Sequence, residues 1–490
     1  MRTPVTVCAI ILIIALSGAP PFIVRSNYGS CDESFCGTQE SIASIIETNI
    51  ERYRKGNVTL TIVDSQGTPV RVAEVEIRQL NHDFLFGCAY PLEVDIPIWV
   101  RDRYQSYFAS LFNYATTENA FKWYVLSRQG YGQIDRMLEW TQSHSIKVKG
   151  HNLVWGNIPG SGSGVPVFLR TASRDEVRLA LQERIREAVS KYAGRIDIWD
   201  VVNEPFHAKW FDEHFGEDYV EKSLEWSREA NPNATLLVNE TGILRDVQIT
   251  QEYLDYLGKL EAKGVPLDVV GVQAHSANTW FSPEQIYDAL DTLASLGLDI
   301  HITEFSVLAA GQPIEGGFRS GVWDEQAQAE YFEMFYRTAF SHPNVKAITL
   351  WDLWDGSSMQ PPMSGILRSD FTTKPAYRVL DRLINTEWRT SVTTHTNGEG
   401  KVEFRGFYGR YQIVVTNNGQ RLTGAFHLAE NGTMSQEVAV SPGVETPKSS
   451  QTLPNWAPTN WSYVAGLIII ATASLIFLRK FRPRSKPVAK

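Results

Sequence analysis

Between residues 82 and 387 the chain alternates two hydrophobic patterns. Short, nearly continuous apolar runs read as strands buried on both faces. They are Phe84–Ala89, Leu111–Thr116, Lys147–Val154, Ile196–Val202, Thr235–Asn239, Val269–Ala274, Asp299–Thr303 and Val345–Leu350. Longer stretches between them repeat apolar positions every three to four residues, for example Arg174–Tyr192, Gln248–Lys263, Glu284–Leu296 and Glu325–Phe340. This is the pattern of amphipathic helices. Eight alternations in a segment of this size predict the α/β class and a (β/α)8 TIM barrel over residues 82–387. The competing arrangement, an open doubly wound sheet, carries a Gly-rich turn after its first strand, and Gly87-Cys88-Ala89-Tyr90 is not one.

The flanks follow a different period. Residues 57–81 alternate polar and apolar positions around Asp64-Ser65-Gln66-Gly67, which predicts a hairpin. Residues 388–433 alternate similarly, with Val402-Glu403-Phe404, Tyr411–Val415 and a turn at Asn417-Asn418-Gly419. We expect the two segments to form one small accessory β-sandwich split around the barrel; two unrelated β additions are the alternative. Residues 434–460, rich in Ser, Pro and Thr, read as a linker.

Both ends carry export signals. Met1-Arg2, the apolar run Val5–Leu16 and Ser17-Gly18-Ala19 give residues 1–27 the form of a secretory signal. Pro20 disfavours cleavage directly after Ala19, and an uncleaved anchor is the competing reading. Residues 461–478 contain no charge and are long enough to span a bilayer. Arg479, Lys480, Arg482, Arg484, Lys486 and Lys490 follow, so the 479–490 tail is expected in the cytoplasm and the body at the cell surface. A buried core helix is the rival reading of the 461–478 run.

Charge narrows the partners. Setting aside the six tail cations takes the formal net charge from −9 to −15. An acidic exterior argues against a nucleic-acid partner. Cys31 and Cys36 are close enough in sequence to pair, whereas Cys88, inside an apolar run, is expected as a buried free thiol. No cysteine or histidine spacing suggests a structural metal. Asn57, Asn233, Asn239, Asn431 and Asn460 each head an Asn-x-Ser/Thr triplet, which fits export.

The chemistry gathers at strand ends. Glu204 closes Ile198–Val202-Asn203-Glu204 and Glu304 closes Ile300-His301-Ile302-Thr303-Glu304, 100 residues later. Counting strands puts them at positions four and seven, on opposing arcs of one barrel mouth, where active sites assemble. Two such carboxylates are what glycosidic cleavage requires; about 5–5.5 Å between them means retention and 6.5–9.5 Å inversion. Other strand ends offer Glu118-Asn119 with Lys122-Trp123, His151-Asn152 with Trp155, Gln273-Ala274-His275, and Trp351-Asp352 with Trp354. Aromatic faces stack on pyranose rings, and amides and ammonium groups bond their hydroxyls. Singly, each is more simply a core or surface residue; their shared position gives them weight.

Phe112–Trp123, Gly150–Trp155, Trp199–Glu204, Gly271–His275 and Ile302–Glu304 together resemble glycoside hydrolase family 10, the retaining endo-β-1,4-xylanases, over about residues 82–385. The resemblance implies Glu204 as acid/base and Glu304 as nucleophile. It implies that Asn203 bonds the 2-hydroxyl at the cleavage point and His275 orients the nucleophile. His151 and Asp200 would support the acid/base side. Glu118, Asn119 and Lys122 would hold the next sugar on the non-reducing side, and Gln273, Trp155 and Trp351 would line the pocket. No metal or organic cofactor is implied. The expected partner is a β-linked polysaccharide or oligosaccharide.

The chain departs from that family pattern at three places. Gly156, Asn157 and Ile158 replace the usual His and Gln after Trp155, Ser306 replaces a frequent Asp, and a second strand-eight Trp would fall near Met359. These changes are expected to reshape the pocket. They leave open another β-glycan as substrate, or a catalytically weak glycan-binding surface protein.

Overall fold

The computed structural model describes residues 41–92, 95–158, 164–357, 363–430 and 432–443. The signal (1–27), the anchor run (461–478), the basic tail, Cys31, Cys36 and Met359 lie outside the described residues. Among the described residues no helix is long and apolar enough to cross a membrane.

Eight parallel strands close into a barrel: β3 (Leu85–Ala89), β4 (Tyr114–Thr116), β5 (Lys147–Trp155), β6 (Ile198–Asn203), β7 (Thr235–Glu240), β8 (Val269–His275), β9 (Asp299–Ser306) and β10 (Val345–Leu350). The seam pairs Ala347 with Leu85 and Leu350 with Cys88. Cys88 is a buried free thiol. An outer layer of helices follows the strands: α2 (Arg101–Leu111), α3 (Trp123–Gln129), α4 (Gly132–Ser143), α5 (Arg174–Tyr192), α6 (Trp210–His214), α7 (Tyr219–Ala230), α8 (Val247–Ala262), α9 (Pro283–Ala294), α10 (Glu325–Ser341) and α11 (Pro375–Arg382). Helix starts are encoded locally. Ser173 with Glu176 and Ser282 with Gln285 form capping boxes, while Asp246 and Asp324 cap α8 and α10.

Two glycines let strands approach closely. A Cβ at Gly150 would lie 2.2 Å from the Trp199 ring, and one at Gly271 would lie 2.7 Å from the Val238 carbonyl and 2.9 Å from the Asn239 Cα. Gly271 therefore sets the depth at which Asn239 enters the barrel mouth.

The flanking segments interleave. α1 (Ile42–Arg54) precedes β1 (Lys55–Val63) and β2 (Glu74–His82); β11 (Ser391–His395), β12 (Lys401–Phe407), β13 (Gly409–Asn417), β14 (Gln420–Leu428) and β15 (Met434–Ala439) follow the barrel. One sheet runs β12-β1-β15 and the other β11-β2-β13-β14. Leu60, Ile62, Val75, Ile77, Tyr411, Ile413, Phe426 and Val438 fill the space between them. At the β13–β14 turn, Asn418 (φ 49°) and Gly419 (φ 76°) take the left-handed conformations that a two-residue hairpin needs.

Two sequence expectations fail here, and a third feature was not foreseen. β1 and β2 are not a hairpin but lie in opposite sheets. Asp64 Oδ1 accepts from the Gln66 and Thr68 amides at 2.9 Å, and the chain then crosses over, with the Ala73 amide donating to Thr396 Oγ1 at 2.9 Å. Both strands alternate, so each buries one face, and the faces meet across the sandwich core. The expected linker boundary at 434 also fails, because Met434–Ala439 pairs parallel with Val58–Val63. Third, α1 has no counterpart in the sequence reading. Its Ile46 and Ile50 join the barrel core. Its Arg54 is buried and donates to the carbonyls of Phe340, His342 and Val345. These carbonyls lie at the end of α10 and the start of β10, and the His342 carbonyl also accepts from the Val345 amide at 3.1 Å.

Candidate active site

Glu304 is the more tightly held carboxylate. A register shift in the β8–β9 ladder pairs Val272 with Ile302 but Gln273 with Glu304, leaving Thr303 out of step. Bulges of this kind re-aim side chains. Glu304 Oε1 accepts from Asn239 Nδ2 at 2.9 Å, and Oε2 lies 3.1 Å from His275 Nε2. His151 Nε2 stands 4.0 Å from Oε1. Burial by itself would raise this carboxyl. The His275 hydrogen bond and the nearby His151, His275 and Lys149 outweigh burial and hold it below the usual glutamate value. An ionised carboxylate only accepts, so His275 Nε2 donates to it while Nδ1 accepts from the Ser306 hydroxyl at 2.7 Å.

Glu204 stands just past β6 with a left-handed backbone (φ 54°). Non-glycine residues rarely adopt this conformation unless their surroundings enforce it. Here the Glu204 amide donates to the Asn239 carbonyl at 2.7 Å, and the Glu204 carbonyl accepts from the Ala208 amide at 2.8 Å. Its half-buried carboxylate accepts from Trp155 Nε1 and Gln273 Nε2, each at 3.0 Å. Gln273 and His275, two apart on β8, share one side of the strand and serve one carboxylate each.

Asn239 joins the two halves. Its backbone holds Glu204 and its side chain holds Glu304. The same side chain donates to Asn203 Oδ1 at 2.7 Å and accepts from Thr303 Oγ1 at 2.5 Å. With its carbonyl oxygen engaged, Asn203 keeps its NH2 for a ligand. Asn239 is fully buried, so its Asn-x-Thr triplet is no glycosylation site in the folded chain. Asn57 and Asn233 are exposed.

Behind the site lies a buried ion pair. Lys149 Nζ sits 2.7 Å from Asp200 Oδ2, which is also 2.8 Å from His151 Nδ1. Burial would raise Asp200, but Lys149 and His151 prevail and keep it ionised. His151 and Asp200 were expected on the Glu204 side. The structure turns them toward Glu304, because His151 must point Nδ1 at Asp200 and its Nε2 then faces the opposite carboxylate. The Trp351 ring meets both imidazoles edge-on, at 5.4 Å from His151 and 6.1 Å from His275.

Glu118, Asn119 and Lys122 form the third group. Glu118 Oε1 accepts from Asn119 Nδ2 at 2.9 Å. Burial, reinforced by Asp352, pushes Glu118 up to about 8 against the pull of Lys122. Burial lowers Lys122, while the charges of Glu118, Glu304 and Glu204 oppose the shift. Lys122 Nζ also sits 4.7 Å from the Trp155 ring centre.

Other expectations change. Gly156 acts from behind the site: a Cβ there would lie 2.3 Å from the Ala208 carbonyl, so this glycine admits the loop behind Glu204. Trp354 is no sugar wall, since it stacks on Phe371 at 4.5 Å and donates to the Ser369 carbonyl. Trp123 is buried parallel to Phe211. Sequence reasoning gave no site role to Asn239, Lys149 or Glu240. Glu240 binds the Phe206 amide and His207 Nδ1, each at 2.8 Å, and so fixes the loop behind Glu204. A charged residue inside an apolar strand must find a partner, and that signal marked Lys149. Among the described residues no cluster of His, Cys, Asp and Glu is arranged to hold a metal ion.

Comparison with known proteins adds a second line. The model of Glycosyl hydrolase family 10 matches residues 76–382. The chain is 31% identical over 375 residues to Anti-sigma-I factor RsgI6 of Acetivibrio thermocellus, covering 76% of this chain and 46% of that protein. It is 26% identical over 401 residues to Endo-1,4-beta-xylanase 2 of Arabidopsis thaliana, covering 79% and 35%. The chain thus spans less than half the length of these two relatives. Xylanase 10B from Thermotoga petrophila, solved with xylobiose, superposes with a TM-score of 0.54 at 25% identity, over 62% of this chain and 95% of that one.

Proposed function

The chain belongs to glycosyl hydrolase family 10, and from that premise we propose that it is a retaining endo-acting hydrolase of β-1,4-linked xylan, exported and anchored at the cell surface. The observation that carries the reading is the unequal treatment of the two carboxylates. Glu304 is buried, ionised and aimed by Asn239 and His275. Glu204 is half-buried, held through Trp155 and Gln273. The first can attack an anomeric carbon, and the second can reach a leaving oxygen.

In the first step a Glu304 oxygen bonds to C1, the glycosidic C1–O bond breaks, and Glu204 gives its proton to the departing oxygen. In the second, Glu204 takes a proton from water, the hydroxide oxygen bonds to C1, and the ester to Glu304 breaks. Glu204 is protonated again and Glu304 is free. The xylobiose-bound neighbour supports a xylo-oligosaccharide as substrate. The test compares Glu304→Ala and Glu204→Ala with the parent on an aryl β-xylobioside, xylan, β-glucan and cello-oligosaccharides. The reading expects xylan preference and loss of roughly 1,000-fold or more for Glu304→Ala. Unchanged rates in both variants would overturn it. The surface location rests on the 461–478 run and its basic tail; recovery of the chain in the soluble fraction of intact cells would contradict it.

One observation favours a second reading. The relative at 31% identity is named as an anti-sigma-I factor, not as a hydrolase. A surface protein that binds xylo-oligosaccharides with weak catalysis would fit that kinship. Tight binding with no product after long incubation would select it.

A further inference from the structure

We propose that Trp99 is a sugar-stacking platform that extends the glycan track beyond Glu118, Asn119 and Lys122, on the non-reducing side. The inference rests on the hydrolase reading above.

Trp99 is 82% exposed and its neighbour Ile98 75% exposed. The two side chains are adjacent, so the indole and the Ile98 side chain together present a small apolar surface to solvent. Among the described residues no aromatic ring or cation stacks on it. The exposure does not come from a loose loop. Ile96 is buried, Val100 packs on the barrel core, and a 3-10 turn between them closes with the Val100 amide donating to the Pro97 carbonyl at 3.0 Å. The turn is pinned on both sides and presents Ile98 and Trp99 outward. A side chain carried on a pinned turn loses less entropy on binding than one on a free loop.

Its place in the fold selects the ligand. The turn lies in the loop after β3, at the barrel end where the carboxylates gather. The loop begins at Tyr90, whose amide donates to the Thr116 carbonyl at 2.8 Å; the Glu118 amide donates to the same carbonyl at 2.9 Å. Asp95, four residues before Trp99, is close enough to push Glu118 up. A chain held at Glu118, Asn119 and Lys122 and running away from Glu304 therefore passes this loop. The flat C–H face of a β-xylosyl unit fits an indole plane.

The test is Trp99→Ala, with Trp99→Phe as conservative control, on substrates of graded length. On xylohexaose and xylan, kcat/KM is expected to fall roughly 5- to 10-fold, mainly through KM. On an aryl β-xylobioside, which ends before the platform, it is expected to stay unchanged, and Trp99→Phe should recover most of the loss. Equal rates for parent and Trp99→Ala on the long substrates would overturn the proposal. So would equal losses on long and short ones, which would mark a structural role. Should the parent cleave nothing, the hydrolase reading fails separately. Calorimetric titration then decides: Trp99→Ala must weaken xylohexaose binding and spare xylobiose, and equal affinities for xylohexaose would overturn the platform. Loss of a dimer in Trp99→Ala by sedimentation, with xylohexaose affinity unchanged, would assign the surface to a second copy instead.

Discussion

Asn239 is the residue on which both halves of the site depend. Its side chain donates to an ionised carboxylate, an interaction of about 1.5–3 kcal/mol. Asn239→Ala should therefore lower kcat/KM by roughly 10- to 100-fold. Because a donor to the ionised form holds a pKa down, the acid limb of the kcat/KM profile should also move to higher pH. A rate loss with an unmoved acid limb would show that Asn239 only supports the fold. Glu118 gives a prediction of opposite sign. Its folded value of about 8 lies above the ordinary 4.5. The fold thus binds its proton more tightly than the unfolded chain, and stability drains away as pH rises from about 4.5 to about 8. Glu118→Gln removes that burden. Its Tm advantage over the parent should be near zero at pH 4.5 and reach a few degrees above pH 8, while KM for xylo-oligosaccharides rises. A Tm difference independent of pH would contradict this. At this scale the sequence spoke clearly where a strand ended in a carboxylate. It was silent on Asn239, whose Asn-Glu-Thr context looks like a surface triplet until burial is known.

Among the elements, the barrel strands were legible because strands buried on both faces are continuous apolar runs, and α5 was legible to the residue at Arg174–Tyr192. β15 was not. Only Val438 of Met434–Ala439 is buried, so the strand carries almost no apolar signal and sits in a Ser- and Thr-rich stretch. Its value lies in covering one edge of β1 and in burying Val438 and, just after it, Val440. Burying such side chains contributes about 1.5–3 kcal/mol each. A chain ending at residue 443 should therefore unfold at the parent temperature, and one ending at 433 several degrees lower by calorimetry. Equal Tm values would show that β15 is dispensable. The hairpin misreading has the same origin: alternation tells which face of a strand is buried, not which strand lies beside it.

For the molecule as a whole, the barrel holds the chemistry and the interleaved sandwich ties the chain's two flanks together beneath one fold. The barrel class was readable from the periodicity alone, and the interleaving was an expectation from two β-patterned flanks. The helix α1, by contrast, is held by Ile46 and Ile50 in the barrel core and by Arg54 on the carbonyls it meets, contacts no local pattern announces. The central claim is that Glu304 forms a bond to the sugar while Glu204 handles the proton. It is tested most directly by trapping that bond. An aryl 2-deoxy-2-fluoro-β-xylobioside with a good leaving group should inactivate the chain and add one fluoroxylobiosyl unit to its mass, and peptide mapping should place the ester on Glu304. No adduct, or an adduct on Glu204, would contradict the account.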